Sequence, residues 1–322
     1  MVDIDKHIGF SVFRLILMFV SVTGNSLILF IVTKNPKLRI TSANLLLAQL
    51  SLANLVLGIA AGTRGISTIV FEQRGTKIFD RWLCLVLGSP TVLGIHLSQT
   101  TMVAIALDRF LCVVFPVLYR RSENLEFAFI RFLVCLGYSL LGTFGAYIGV
   151  PFDSSHKVSV CSTGAVITAW YSNYWFFFAS VFTVFIYVAY IAIYILFTRQ
   201  TSSSYGKSSS QRTLFVTMTA VLASYFFFWC IPNLLNASFK LFPASPAIKG
   251  YVGVLVGVCS NISSAINIFI YGWKHPEIRK YLKRVFVGGQ SSVVFPVSAV
   301  HPESQRRDSH RRDSHFVSFS RS

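Results

Sequence analysis

An all-α membrane protein, a bundle of seven transmembrane helices with a short amphipathic eighth helix, is the fold this sequence predicts. Three observations carry that reading. Only 13% of the 322 residues are charged and 53% are hydrophobic, about half the charged share of an ordinary soluble domain. The apolar residues come in membrane-length runs free of Asp, Glu, Lys and Arg, at 15–33, 40–63, 82–107, 132–152, 158–198, 213–239 and 250–273. The basic residues, finally, are divided unequally between the two ends of those runs.

Lipid offers backbone groups no hydrogen-bond partner, so spans are helices or a closed barrel, and runs this long exclude the ten-residue alternating strands of a barrel. Allowing for flanking residues, the spans fall at about 8–33, 42–69, 82–114, 127–150, 171–198, 212–239 and 247–272, after a short extracellular N-terminus over 1–7. The fifth run is about twice the necessary length. Its first part, with Cys161, Ser162 and Thr163, reads as loop, so that span begins near Tyr171. The stretch before the first span has no signal-peptide pattern, which leaves the first helix as the targeting signal. Beyond the last span, 275–286 reads as an amphipathic membrane-surface helix and 287–322 as a disordered cytoplasmic tail. An eighth uncharged run, 285–302, is interrupted by Gly288, Gly289 and Pro296 and belongs to the tail.

The loops after spans one, three and five, with the C-terminal segment, hold 20 basic and 7 acidic residues; the opposite face holds 9 and 5. The richer face belongs in the cytoplasm, which puts residue 1 outside a plasma membrane and residue 322 inside. The pI near 9.9 then has a lipid-facing explanation in juxtamembrane clusters such as Lys34, Lys37, Arg39 and Arg279, Lys280, Lys283, Arg284, and nucleic acid is excluded as a partner. No nucleophile, metal-ligand or phosphate-loop motif is present. Neither an enzyme nor a cofactor or metal is expected.

Polar groups inside a membrane cost free energy unless the bundle satisfies them, so they mark its working interior. Asn25, Asn54 and Asn267 lie at comparable depth in spans one, two and seven. They read equally as one switching network or as glue between helices. Asp108-Arg109-Phe110 ends span three, and Cys84 stands 25 residues before Arg109, the length of a whole membrane-crossing helix at ~1.5 Å per residue.

These marks resemble, in their order, the rhodopsin-like (class A) G-protein-coupled receptors over roughly residues 8–286. Gly24-Asn25, LSLANL around Asn54, Cys84, Asp108-Arg109-Phe110, Phe226 with Trp229-Cys230-Ile231-Pro232, and Asn267-Ile268-Phe269-Ile270-Tyr271 each resemble a family motif. The short N-terminus and the DRF with FPxxYR resemble, more narrowly, the nematode serpentine chemoreceptors of the srsx kind. The resemblance implies a small-molecule ligand outside and a heterotrimeric G protein inside. It further implies that Arg109 leaves Asp108 for Tyr190 and Tyr271 as helix six swings outward, with Asn25, Asn54 and Asn267 relaying the change. A disulfide between Cys84 and Cys161 would pin the second outer loop, the alternative being two unpaired thiols. The pocket would be lined by Thr91, Ile95, His96, Phe226, Trp229, Cys230 and Asn233, a mostly apolar set suited to a small, largely neutral ligand.

Departures from the pattern have physical consequences. Asn54 replaces an Asp and removes the charge that would hold sodium. Trp229 precedes Cys230 rather than following it, which turns the indole by ~100° around the helix. Ile268 replaces a proline, and Arg212 stands where relatives place an acid facing Arg109. Thr91 and Asn261 occupy the positions of an amine counter-ion and a retinal lysine, so neither ligand is expected. Ser309 and Ser314, in a repeated Arg-Arg-Asp-Ser-His, are kinase candidates whose phosphates would engage an arrestin-like partner or weaken contact with anionic lipid, the repeat reading equally as a solvated spacer. A diverged bundle that no longer couples is the main rival reading. A transporter or channel is the other, and would need matching halves and midplane charges.

Overall fold

The computed structural model of the protein describes residues 8–115, 117, 119, 125–152, 156–159, 161–202, 219–241, 246–275 and 278–282. The N-terminus 1–7, Arg212, the end of the expected eighth helix and the tail with Ser309 and Ser314 lie outside those residues. Seven long helices, each apolar enough to cross a membrane, bear out the predicted fold class. They are α1 (Ile8–Lys34), α2 (Ser42–Gln73), α3 (Arg81–Val114), α4 (Leu125–Gly145), α5 (Ala169–Ser202), α6 (219–241) and α7 (Pro246–Lys274).

Helix boundaries follow local chemistry. The Asp80 carboxylate accepts the Leu83 amide at 3.1 Å and caps the start of α3, satisfying one of the amides that a helix start leaves open. α4 stops at Gly145, short of the expected 150, because the chain turns there and Gly149 sits at φ +80°, a conformation that favours glycine. α2 runs on to Gln73, past the expected 69, carrying Arg64 and Glu72 in its last three turns. The loop after α4 adds a helical turn at Thr163–Val166 and a two-residue strand, β2 (Lys157–Val158), paired antiparallel with β1 (Phe79–Asp80).

The bundle buries small and polar residues beside its apolar core and also leaves many large apolar side chains on its outer surface, as a lipid-solvated protein does. On α1, Ser21, Gly24, Asn25, Ile28 and Val32 face inward, while Phe19 and Phe30 are exposed. Close helix approach depends on a glycine: a Cβ on Gly24 would stand 2.9 Å from the Ile268 side chain of α7. Two apolar clusters result. One, around Phe79, Leu85, Val150 and Tyr171, surrounds the Cys84–Cys161 disulfide; the other, around Leu46, Met102, Ile105, Trp229 and Tyr271, extends toward Asp108. These are called below the disulfide end and the Asp108 end.

Candidate functional site

At the Asp108 end, a single buried carboxylate gathers four elements. Asp108 Oδ2 accepts Arg109 Nε at 3.0 Å and also Arg109 Nη2. Its Oδ1 accepts the Ser42 hydroxyl of α2 at 2.7 Å and Arg131 Nη1 of α4 at 3.1 Å. Tyr119, beyond α3, donates to the carboxylate at 3.2 Å and accepts Arg109 Nη2 at the same distance. Phe110, next to Arg109, is half-buried. Charge-assisted bonds of this kind are roughly twice as strong as neutral ones.

Tyr190 of α5 and Tyr271 of α7 stand within electrostatic reach of this group, Tyr190 of Arg109 and Tyr271 of Tyr190. Both are buried, and neither hydroxyl has a hydrogen-bond partner among the described residues. Unmade hydrogen bonds at buried phenols leave open sites for a guanidinium.

Serines bridge α1, α2 and α7 around Asn25, but they do not link the three side-chain amides to one another, and Asn54 Nδ2 is without a partner among the described residues. Asn25 Nδ2 donates to Ser264 O at 3.0 Å and to Ser21 O at 2.8 Å, and the Ser21 hydroxyl lies 3.0 Å from Asn54 O and 3.1 Å from Ser264 Oγ. Asn267 is buried one turn beyond Ser264. Among the described residues no amide bonds directly to another of the three. Ser21 and Ser264 were not among the sequence candidates, although they precede Asn25 and Asn267 by one helical turn.

Farther toward the disulfide end a small cavity of about 10 Å³, room for about one water, opens between α2, α3, α6 and α7, lined by Asn54, Ile95, Ser98, Gln99, Tyr225, Trp229 and Ser260 among others. Of the expected pocket residues it includes Ile95 and Trp229. Asn54 Nδ2, Gln99 Oε1 and Trp229 Nε1 are buried without partners, giving two donors and an acceptor around a lining with no charged side chain. That set suits neutral, water-like occupants.

The other expected pocket residues point elsewhere. His96 is fully buried against α4 and α5, its Nδ1 2.9 Å from Val92 O and its Nε2 3.3 Å from the Tyr174 hydroxyl, with a Gly142 Cβ position only 2.6 Å from its ring. Phe226 packs on Tyr187 at the bundle surface, and Cys230 is buried within reach of Tyr187 and Thr183 on α5. Asn233 spends its amide on Trp229 O at 2.8 Å. Thr91 is half-buried on α3 and does not line the cavity.

The expected ~100° turn of the indole is offset by α6 itself, and Trp229 lines the cavity as the expected pocket has it. Residues Phe226–Cys230 form one π-helical turn, with the Ile231 amide bonded to Phe226 O, an i→i+5 bond that absorbs one extra residue. Trp229 therefore still lines the cavity, and Tyr225, four residues earlier, stacks on it at 6.1 Å and accepts Gln99 Nε2 at 3.3 Å. Alignment from Pro232 selects Phe226; alignment from Trp229 would have found Tyr225.

Where α7 ends, His275 Nε2 donates to Asn44 Oδ1 at 3.2 Å and its Nδ1 accepts the Ile278 amide at 3.3 Å, so the imidazole caps the helical residues 278–282. Burial lowers its pKa from 6.5 to about 4, which keeps it neutral. At the opposite end Cys84 and Cys161 form the expected disulfide. Arg64 donates to Cys161 O, and Arg81 Nε donates to Val166 O at 2.8 Å, so the loop is held to α2 and α3.

Comparison with known proteins places these features in one family. The family described as serpentine type 7TM GPCR chemoreceptor Srsx matches residues 18–286. The chain is 23% identical to the adenosine receptor A3 of Canis lupus familiaris over 83% of this chain and 87% of that one. It is 24% identical to a rhodopsin of Sphodromantis sp. over 83% and 75%. A putative neuropeptide Y receptor 11 of Caenorhabditis elegans is 30% identical over 38% of this chain and 30% of its own.

Proposed function

Because this chain belongs to the family of serpentine type 7TM GPCR chemoreceptors termed Srsx, a family of signalling receptors rather than enzymes, we propose that it is a chemosensory receptor of the plasma membrane for a small, largely neutral ligand. Its disulfide end faces outward and its Asp108 end the cytoplasm, as the excess of Lys and Arg supports. Ligand enters between the helices above Trp229, where the cavity lining carries no charged side chain. Outward movement of α6 then opens a cleft at the Asp108 end for a heterotrimeric G protein.

The observation that carries this reading is the placement of Arg109. It is held by Asp108 now, with two buried, unpartnered phenols, Tyr190 and Tyr271, ready to receive it. Exchange of one set of partners for another is what a two-state switch needs. In the same proposal, residues 275–286 lie on anionic lipid, and phosphates on Ser309 and Ser314 engage an arrestin-like partner.

The test is Arg109→Ala in cells carrying a promiscuous G-protein reporter, compared with the parent at equal surface delivery. Basal or ligand-evoked signal is expected to fall by roughly tenfold or more, as when a group of ~1.4 kcal/mol or more is removed. Signal equal to the parent's would sink the mechanism, and a delivered but silent parent would move weight to a bundle that no longer couples.

A further inference from the structure

Asp108 is shared by two arginines, one on each oxygen. Oδ2 takes Arg109, Oδ1 takes Arg131 at 3.1 Å and Ser42 at 2.7 Å, and the Tyr119 hydroxyl lies 3.2 and 3.3 Å from Oδ2 and Oδ1. Arg131 Nη1 also donates to Ser42 Oγ at 3.0 Å. Arg131, Ser42 and Asp108 thus close a ring of three hydrogen bonds that ties α4, α2 and α3 together without Arg109.

We propose that Arg131 is a positioning residue for the switch: it is the resident counter-ion of Asp108 and makes Arg109 releasable. This rests on the coupling role given to Arg109 above. A buried charge that loses its only partner costs far more than the pair had contributed, so an arginine that alone neutralised Asp108 would be nearly immovable. With Arg131 and Ser42 on Oδ1, the carboxylate keeps a cationic partner when Arg109 leaves Oδ2. The ring joins only α2, α3 and α4, none of which the proposed movement of α6 displaces. The Arg131 stem approaches Phe127, its guanidinium carbon 6.0 Å from the ring centre, and its Nε is buried without a partner among the described residues. The guanidinium therefore has Nη1, aimed at Asp108 and Ser42, as its bonded atom.

The position was open to discovery from sequence. Arg131 bounds the fourth uncharged run, and a cation about two turns inside a membrane helix requires an acidic partner.

The experiment is a thermal cycle on the full chain in lipid nanodiscs. Arg109→Met and Arg131→Met each lower the melting midpoint modestly, because either arginine keeps Asp108 paired. Both together lower it beyond the sum of the singles by about 5 °C or more, and adding Asp108→Asn cancels that excess. Additive shifts, or an excess that survives Asp108→Asn, would overturn the shared counter-ion. On the same nanodiscs, binding of purified Gα subunits is weakened about fivefold or more by Arg131→Met and restored by Arg131→Lys. Unchanged Gα binding in Arg131→Met overturns the release role. Unchanged binding in Arg109→Met sinks instead the coupling reading, and a parent that binds no Gα removes the coupling reading and the release role together. In both cases the thermal cycle still decides whether the counter-ion is shared.

Discussion

At position 275 a neutral imidazole donates from Nε2 to Asn44 and accepts at Nδ1 from the Ile278 amide, an arrangement that a second proton would break at Nδ1. Its pKa is about 4 when buried and 6.5 otherwise, so the undocked state binds a proton more tightly. Docking of residues 278–282 is therefore complete above pH 6.5, weakens below it, and is lost as pH falls through about 4. Hydrogen exchange of the Ile278 amide in nanodiscs should report this, with protection at pH 7.5 and progressive loss toward pH 4. His275→Leu should lack the step and lower the melting midpoint by roughly 2–4 °C, the loss of two hydrogen bonds. Protection that is flat with pH in the parent would refute the cap. In the stretch after span seven the recurrence of apolar residues predicts a surface helix; residues 278–282 are helical, with Ile278 and Leu282 packed into the bundle. The cap was not legible in the sequence, since Asn44 lies 231 residues away and a side chain's partner across a fold has no local signature.

The sixth helix shows where motif spacing helps and where it misleads. The short distance from Trp229 to Pro232 marks the motif, but counting at ~100° per residue from Pro232 selects Phe226 instead of Tyr225, because the π turn at Phe226–Cys230 absorbs a residue. Gln99 of α3, which meets Tyr225 beside the cavity, has no local signature. Likewise Ser21 and Ser264 were passed over because single serines are common in membrane helices, and only the assembled bundle brings them to one point. If the π turn exists to absorb one residue between Trp229 and Pro232, deletion of Ile231 should relax it to regular α-helix while Trp229 keeps its facing. Surface delivery and signal are then retained within roughly twofold, since a π turn is a local insertion. Deletion of Ala223, in a regular turn, instead rotates all preceding α6 residues by ~100° and should abolish both. Equal loss in the two deletions would count against the insertion.

Across the whole molecule, the partnerless buried polar groups lie mostly away from the disulfide, Thr168 Oγ1 being an exception among the described residues. Near the disulfide, Arg64 is bonded to Cys161 O, Arg81 to Val166 O, the Tyr171 hydroxyl to Gly142 O and Asp80 to the Leu83 amide. Between Trp229 and the Asp108 end, by contrast, Asn54, Gln99, Tyr187, Tyr190, Trp229 and Tyr271 each keep a buried polar atom without a partner among the described residues. Unsatisfied buried groups are costly in one fixed arrangement and acceptable where a second arrangement satisfies them. The bundle thus joins a fixed cap to a convertible core. The seven helices and the disulfide were legible because they rest on run length and on two cysteines in the right places; this division was not, because it depends on which atoms meet. The cap's staple closes a loop with a sequence separation of 77, for which the chain-entropy argument allows up to about 4.5 kcal/mol, less where inserted helices already restrict the unfolded chain. Cys84→Ala, Cys161→Ala and the double variant should therefore lower the melting midpoint by the same amount, since each removes the same bond. The losses should fall on ligand response, whereas Gα binding at the Asp108 end persists at temperatures where the variants remain folded. A double variant that melts well below both singles would show that the two sulfurs stabilise the cap independently, and one that loses Gα binding while folded would show that the cap and the core are not separate.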